Sequence, residues 1–465
     1  MDLEIISREW IKPSSPTPSH HKTYKLCLFD QYIGHHFPSV LLFYPLNQNL
    51  QLSSTLVDID HIVSERLQLL KQSLSEVLTL YYPLAGRIKD DISVDCNDEG
   101  IYFVEARSKI PLNQFLNQPS RFSIGKFSPV NNSDKKEQTE ELYVGQIQVT
   151  VFACGGFAIC ICLSHKICDV TSTISFMKCW SAVTQKNIEV AIRPDCNAAS
   201  LFPPSDEFLS ELTFAAQVFP FVKTGGRVAT RRFVFEAKAI AKLKAKATSS
   251  SVQNPSSVEV VSALLSKRIF AAMKKRSGSH KPNLIRHLVN LRRRIKPPIA
   301  NYCMGNLIWF ANALCTEKES NLPGLVTKLR EAIEIVNGDF VKSLQGDERS
   351  VNHRKVVRDV LEVSSKAEDM ITFTSWCNGG LYNVDFGWGK PVWMSFCQDE
   401  SPPAFMNLII LMDTRLGDGI EALASLHEED IACLERDEEL LAFTKGRMSD
   451  YPPLLDLILS HSSKL

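Results

Sequence analysis

Phe157-Ala-Ile-Cys-Ile-Cys-Leu-Ser-His-Lys-Ile-Cys-Asp169 is the stretch from which the rest of the chain can be read. Phe157 to Leu163 is apolar throughout and carries β-branched residues. So short an apolar run predicts a strand buried on both faces. Its character changes at Ser164-His165-Lys166, and Asp169 stands four positions after the histidine. A histidine placed where a buried strand ends is held rigidly yet can still face a cavity. Imidazole titrates near neutral pH and can both accept and return a proton, as a general base must. The plain alternative is a histidine hydrogen-bonded at a strand end, with a surface aspartate nearby. His-x-x-x-Asp alone does not separate the two readings, because a chain with 11 histidines meets that pattern by chance.

Working outward, 465 residues are too many for one ordinary core, and two domains of about 200 residues each are expected. Lys plus Arg and Asp plus Glu both number 52, so the formal charge is zero and there is no electrostatic case for nucleic acid. There is no run of about 18 apolar residues, so no transmembrane helix is expected. Met1-Asp2-Leu3-Glu4 lacks the basic and apolar regions of a signal peptide. The 13 cysteines are odd in number and scattered, which reads as reduced core residues. Cys154, Cys160, Cys162, His165 and Cys168 crowd together, but without any Cys-x-x-Cys pair, so no metal site is expected.

Before the central stretch, Trp10 to Pro18 reads as a proline-rich extended arm, and Tyr24 to Phe29 and Ser39 to Tyr44 as strands. Ile62 to Leu80 has the spacing of an amphipathic helix, stopped by Pro83. Ile92 to Cys96 and Ile101 to Glu105 flank Asn97-Asp98-Glu99-Gly100 and predict a hairpin. Leu142 to Ala153 and Phe157 to Leu163 predict a strand pair, and Val170 to Thr184 a helix. From Ile192 to Ala229 regularity falls away, with one helix expected near Phe214 to Phe219; this reads as a crossover between domains. Beyond it come a strand at Arg231 to Phe235, a helix at Ala237 to Ala247 and a helix running to Met273 that Ser256 and Ser257 can cap. Leu284 to Asn290 follows as a strand, Leu322 to Val336 and Arg354 to Lys366 as helices, and Val392 to Phe396 and Leu408 to Asp413 as strands. This mixture is α+β, a mixed α/β layering. The expected division is 1–193, a linker at 194–230, and 231–465.

About 220 residues after His165 the chain reads Asp385-Phe386-Gly387-Trp388-Gly389. One His-x-x-x-Asp in mid-chain with this pentapeptide near the C-terminus resembles the BAHD family of plant acyl-CoA-dependent acyltransferases. The likeness also runs through Tyr82–Arg87, Asn290–Arg292, Tyr302–Asn306 and Thr374–Trp376. Pro13–Pro18, Ser164–Val170, Pro297-Pro298 and Met304-Gly305-Asn306 are similar to the alkaloid-acetylating group around vinorine synthase. The resemblance implies two chloramphenicol-acetyltransferase-like domains with the active-site channel between them. It implies His165 as general base, taking a proton from an acceptor hydroxyl that attacks the thioester directly. Thr374 and Trp376 are implied as oxyanion donors, and no cysteine as nucleophile. Asp169 is implied to point away and pair with Arg292. Asp385, Gly387, Trp388 and Gly389 are read as a structural corner.

Acetyl-CoA or another acyl-CoA is the implied co-substrate, with no permanently bound cofactor. The implied acceptor is an alkaloid or similar bulky specialised metabolite. A small volatile alcohol or an amine remains open as acceptor, and so does a catalytically silent ligand-binding homologue. Ser256 and Ser257 at a helix N-terminus could meet a CoA phosphate or could simply cap the helix. Lys244, Lys246 and Lys267 could meet the 3′-phosphate or be merely solvated. No nucleic acid or membrane partner is expected, and the working unit is expected to be a monomer. Ser463-Lys464-Leu465 reads as a peroxisomal address, whereas the family resembled is generally cytosolic; the expectation is cytoplasm, with the peroxisome as alternative.

Overall fold

The computed structural model describes residues 3–46, 56–117, 124–129, 143–205, 221–224, 227–397 and 404–445. The helix expected near 214–219 and the terminal tripeptide lie outside the described residues. In the N-terminal half the main strands are Leu3–Ile11 (β1), Ser39–Tyr44 (β2), Ile101–Ser108 (β3), Gly145–Val151 (β4) and Phe157–Leu163 (β5). In the C-terminal half they are Val228–Phe235 (β6), Asn283–Asn290 (β7), Ile308–Cys315 (β8), Asp369–Ser375 (β9), Trp393–Ser395 (β10), Asn407–Asp413 (β11) and Ile420–His427 (β12). They form two six-stranded mixed sheets, in the orders β1-β3-β4-β5-β2-β10 and β6-β12-β11-β9-β7-β8. The fold is the expected α+β architecture.

β5 lies inside its sheet and is buried at all seven positions, as its apolar run requires. Phe157, Ile159, Ile161 and Leu163 face a cluster built from two helices, Leu56–Leu80 (α1) and Val170–Thr184 (α2). Leu67, Leu70, Leu74 and Val77 of α1 and Phe176, Met177 and Trp180 of α2 fill it. Ala158, Cys160 and Cys162 face the opposite cluster with Phe43, Phe115, Phe127, Phe152 and Trp393. Period-two alternation thus sorts one strand between two cores. The second sheet is covered by Ala237–Ala247 (α3), Ser257–Ser277 (α4), Leu322–Ile335 (α5) and Arg349–Ser365 (α6). All described cysteines are free thiols. No helix among the described residues is long and apolar enough to cross a membrane.

The hairpin expected across Asn97 to Gly100 does not form. Ser93–Asp95 pairs with Thr23–Lys25 and Arg87–Asp90 in a small separate sheet, while β3 lies between β1 and β4. The reason is the turn's own carboxylate. Asp98 accepts from the Thr17 main chain (3.0 Å) and from Lys22 Nζ (2.6 Å), tying the turn to the proline-rich arm. The strand expected over Tyr24 to Phe29 is also shorter, Thr23–Lys25, because the chain turns inward from Leu26.

The two halves exchange segments. Cys27, Leu28, Phe29, Tyr32 and Ile33 pack in the core of the second sheet. Conversely, Leu381, Tyr382, Val384, Phe386 and Met394 pack with the first, and β10 pairs with β2 at that sheet's edge.

Candidate active site

After Leu163 the chain makes one turn before α2, and His165 is its second residue. The His165 main-chain N–H donates to the His36 carbonyl (2.8 Å). Its Nδ1 faces Asn306 Oδ1 at 3.0 Å. The Asn306 amide nitrogen donates to the His165 carbonyl (2.7 Å) and to Asp30 Oδ1 (2.9 Å). A peptide carbonyl only accepts, so these partners assign the amide's orientation and leave Oδ1 towards the imidazole. An amide oxygen accepts only, so Nδ1 carries the proton. The lone pair of the neutral ring is therefore on Nε2, the nitrogen a general base would use.

Asp30 anchors this arrangement. Its buried carboxylate takes the main-chain N–H groups of Cys27 (2.7 Å) and Asn306 (2.7 Å) as well as the Asn306 side chain. Burial raises its pKa, and the N–H groups it accepts oppose that rise. The ring of His36 stands 5.1 Å from that of His165. His36 Nδ1 donates to the Gly34 carbonyl (2.9 Å), and desolvation, then the nearby His165, pull its pKa to about 4. Water still reaches the His36 ring, which tempers that pull, but the ring is neutral at neutral pH.

Asp169 is turned away from the imidazole. It is the N-cap of α2, accepting from the Ser172 N–H (2.8 Å) and hydroxyl (3.0 Å). Arg292, fully buried, grips it in bidentate fashion at 2.6 and 3.2 Å. The remaining Arg292 N–H groups donate to the carbonyls of Cys303 (2.7 and 3.1 Å) and Gly305 (3.0 Å). Gly305 precedes Asn306, and Asp169 closes the turn that carries His165, so the ion pair fixes both segments that meet at the imidazole.

Asp385 to Gly389 lies far from this chemistry. Asp385 Oδ1 accepts the N–H groups of Gly387 (2.8 Å) and Gly389 (2.9 Å), and those residues adopt φ of +102° and +109°. Such angles favour glycine. Phe386 is buried edge-on against Trp180 at 4.9 Å. Trp388 stacks on Phe157 at 5.9 Å, beneath the Arg66 guanidinium at 5.1 Å. Phe157 opens β5 and His165 follows its end, so strand geometry separates motif and histidine by about 20 Å.

Thr374 sits near the end of β9, and Trp376 follows it, both half-buried. The Trp376 main-chain N–H is committed to the Leu411 carbonyl (2.7 Å), leaving the indole N–H as its available donor. The indole meets Phe396 edge-on at 4.8 Å and walls a cavity of about 240 Å³ with Tyr382, Met394, Met412 and Arg415. The turn beyond it presses on α2: a Cβ at Gly379 would stand 2.6 Å from Ile174 Cδ1. Ser256 is the N-cap of α4 in a reciprocal capping box with Glu259, whose carboxylate is held by Arg330. That helix N-terminus, which Ser257 opens, is thus already supplied with a carboxylate of its own chain. Lys267 is paired with Glu439 at 2.6 Å.

Sequence reasoning did not assign roles to Asp30, His36 or Asn306. The signal for Asp30 was a single carboxylate closing the apolar run Leu26–Phe29. Its partner Asn306 is 276 residues away, so no local spacing joins them.

A model of the Transferase family matches residues 1–441. Epi-neemfruitin B 7-O-acetyltransferase of Melia azedarach is 54% identical over 447 residues, covering 96% of this chain and 99% of that protein. The crystal structure of vinorine synthase, an enzyme of Rauvolfia serpentina, superposes with a TM-score of 0.76 at 32% identity, covering 95% of this chain and 98% of that one. The structure of F. sporotrichioides TRI101 complexed with coenzyme A and T-2 superposes with a TM-score of 0.68 at 17% identity, covering 91% and 99%, a likeness of fold. With a family model spanning nearly the whole chain and a relative above half identity, the protein belongs to the Transferase family, the BAHD acyl-CoA-dependent acyltransferases.

Proposed function

We propose that this acyltransferase moves an acetyl group from acetyl-CoA to a hydroxyl of a limonoid, with His165 Nε2 as general base. The observation that carries the mechanism is the Asp30–Asn306–His165 chain, which leaves the imidazole lone pair on Nε2. The limonoid class is supported by a relative named as a limonoid 7-O-acetyltransferase in Citrus sinensis, 53% identical over 451 residues.

In the reaction, the acceptor O–H gives its proton to Nε2 while its oxygen bonds to the thioester carbon. The resulting oxyanion accepts from the Thr374 hydroxyl and the Trp376 indole N–H; one such donor is typically worth about 3 kcal/mol. The intermediate collapses, the carbon–sulfur bond breaks, and the departing CoA sulfur takes the proton back from Nε2. The products are an acetate ester and free CoA, and His165 ends neutral. The Asp169–Arg292 pair and the Asp385 corner act through structure.

The test is incubation of the purified protein with acetyl-CoA and separate alcohols: a limonoid with a free 7-hydroxyl and an indole alkaloid alcohol. Mass spectrometry should find one acetyl added to the limonoid. Acetylation of the alkaloid alone would overturn the acceptor class, and release of CoA with no ester would overturn the transfer.

A further inference from the structure

The turn that joins β11 to β12, residues 414–419, is braced by more bonds than a connector needs. The Gly417 N–H donates to the Thr414 carbonyl (2.8 Å), and the Thr414 N–H to the Gly419 carbonyl (3.1 Å). The Thr414 hydroxyl accepts from the Gly419 N–H (3.1 Å) and donates to Asp418 Oδ1 (3.2 Å). Gly417 takes φ of +77°, an angle that favours glycine. Yet this rigid turn holds Leu416 out, 79% exposed. A single exposed leucine needs no explanation in itself. Its place gives it one, because Leu416 lines the cavity of about 240 Å³ that Trp376 walls.

That cavity continues from the reacting centre. Thr374 of β9 is in register with Ile410 of β11, and Trp376 and Met412 stand two residues further along. The Trp376 N–H bonds to the Leu411 carbonyl, so the ladder runs on to this level. Side chains two apart on a strand share a face, which puts the cavity wall one pleat repeat, about 6.6 Å, beyond Thr374. Ile410 and Met412 pack into the core of the first sheet, so the cavity lies on the side of the second sheet that looks towards the first domain. Tyr382 and Met394, which also pack with the first sheet, close it. Its polar members are Asn383 and Lys390, joined at 2.8 Å, with Asp413 and Arg415. Asn383, Lys390 and Leu416 are exposed, so the opening reaches solvent.

The lining sorts the reactants. An acetyl group is far too small to fill the space. Lys390 and Arg415 would attract a CoA phosphate, but Asp413 in the same rim repels it and Leu416 offers it nothing. A polycyclic alcohol suits both parts, its carbon skeleton the aromatic and thioether wall and its oxygens the mixed donors and acceptor. Pockets that enclose a whole drug-sized molecule run to about 300–1,000 Å³, so this one takes only an end of such a skeleton. The remainder then lies across the mouth, where Leu416 stands.

Resting on the acyl-transfer reading above, we propose that this cavity is a subsite for the acceptor. It takes one end of a rigid, oxygenated polycyclic alcohol, and Leu416 on its braced turn packs against the skeleton outside. The turn thereby selects bulky acceptors over small ones.

The test compares wild type with Leu416→Ser, Leu416→Met and Met412→Trp. Steady-state kinetics use acetyl-CoA with the limonoid alcohol and with a single-ring alcohol, cyclohexanol. Burial of a leucine side chain is worth about tenfold or more in affinity. Leu416→Ser should therefore raise the limonoid KM about tenfold, leave the acetyl-CoA KM within about twofold, and cut the preference for the limonoid over cyclohexanol about tenfold. Leu416→Met, apolar and of similar length, should restore most of the loss. Met412→Trp fills the cavity and should lower kcat/KM for the limonoid at least about tenfold. The exposed Leu416 variants keep the fold readable should Met412→Trp overpack the core. A limonoid KM within about twofold of wild type in folded Leu416→Ser would overturn the subsite. A rise in the acetyl-CoA KM, alone or with the limonoid's, would also overturn it by giving the cavity to CoA. Calorimetric titration of the alcohol into wild type and Leu416→Ser reads the same affinity without turnover. The acceptor class is read from wild type alone; should wild type acetylate the alkaloid alcohol instead, the same comparison with that alcohol decides the subsite.

Discussion

A neutral imidazole can take a proton only if its lone pair faces that proton, and at His165 an amide, not a carboxylate, sets the direction. His165→Ala should lower kcat by roughly 10²–10⁴-fold with an unchanged thermal midpoint. Near-wild-type turnover in that variant would remove the histidine from the mechanism. Asn306→Ala should lose both activity and stability, because buried Asp30 then loses its amide donor and keeps only two main-chain N–H groups and the weakly donating Cys27 thiol. Asp169 and Arg292 make a different prediction. Each alanine substitution leaves a buried charge unpaired, costing roughly 3–5 kcal/mol of stability. Denaturant titration of the two singles and the double should show a coupling of about 1–3 kcal/mol. Additive losses would mean the pair observed at 2.6 Å is energetically idle. Asp169→Asn should be the milder variant, since asparagine caps a helix as well as aspartate does.

Among the elements, the corner at Asp385 to Gly389 acts by where it sends the chain. It delivers Phe386 into the first core and starts the short run that adds β10 to β2. Gly387→Ala at φ +102° should cost roughly 1–3 kcal/mol of stability while the folded fraction keeps its KM for acetyl-CoA. A fall in kcat without a fall in thermal midpoint would place the motif at the reactants instead. The elements legible from sequence were those whose pattern is local. Ser39–Tyr44, Phe157–Leu163, Val170–Thr184 and Ala237–Ala247 begin and end where their apolar periods and caps put them. The false hairpin at Asn97 to Gly100 shows the limit, because turn residues declare a reversal but not the strand that will be paired. Ile420–His427 (Ile-Glu-Ala-Leu-Ala-Ser-Leu-His) went unread for a related reason. Alanine and serine dilute its strand preference, and only pairing with β6 and β11 decides it. The place of His165 was legible because it follows a buried strand; its anchors Asp30 and Asn306 were not, since 276 residues separate them.

For the whole molecule, the exchange of segments joins the two halves into one cooperative unit. Calorimetry should give a single unfolding transition, and two resolved peaks would show that the halves melt independently. The same exchange gives the molecule its acid sensitivity. Tyr32, from the N-terminal segment buried in the second core, bonds to His353 of α6. His287 of β7 is buried with its ring stacked on Phe373 at 4.9 Å. Desolvation pulls both histidines from 6.5 to about 4, with Arg354 adding to the pull on His353. Below 6.5 the unfolded chain therefore binds protons that the folded one refuses, so stability rises with pH between about 4 and 6.5 and is lost as pH falls through that window. Each histidine contributes at most about 1.4 kcal/mol per pH unit there. The carboxylates whose pKa is depressed by ion pairs, Asp98 and Glu259, lose their contribution only at more acid pH. Between pH 6.5 and 5 the lowered histidines, His36 included, make stability rise with pH, while buried Asp30, its pKa raised by desolvation, opposes them. Urea titrations across that range should show falling stability, and His353→Gln should lower the slope by about one histidine's share. A slope untouched by that substitution would mean that the contact between Tyr32 and His353 does not couple the exchanged segment to protons.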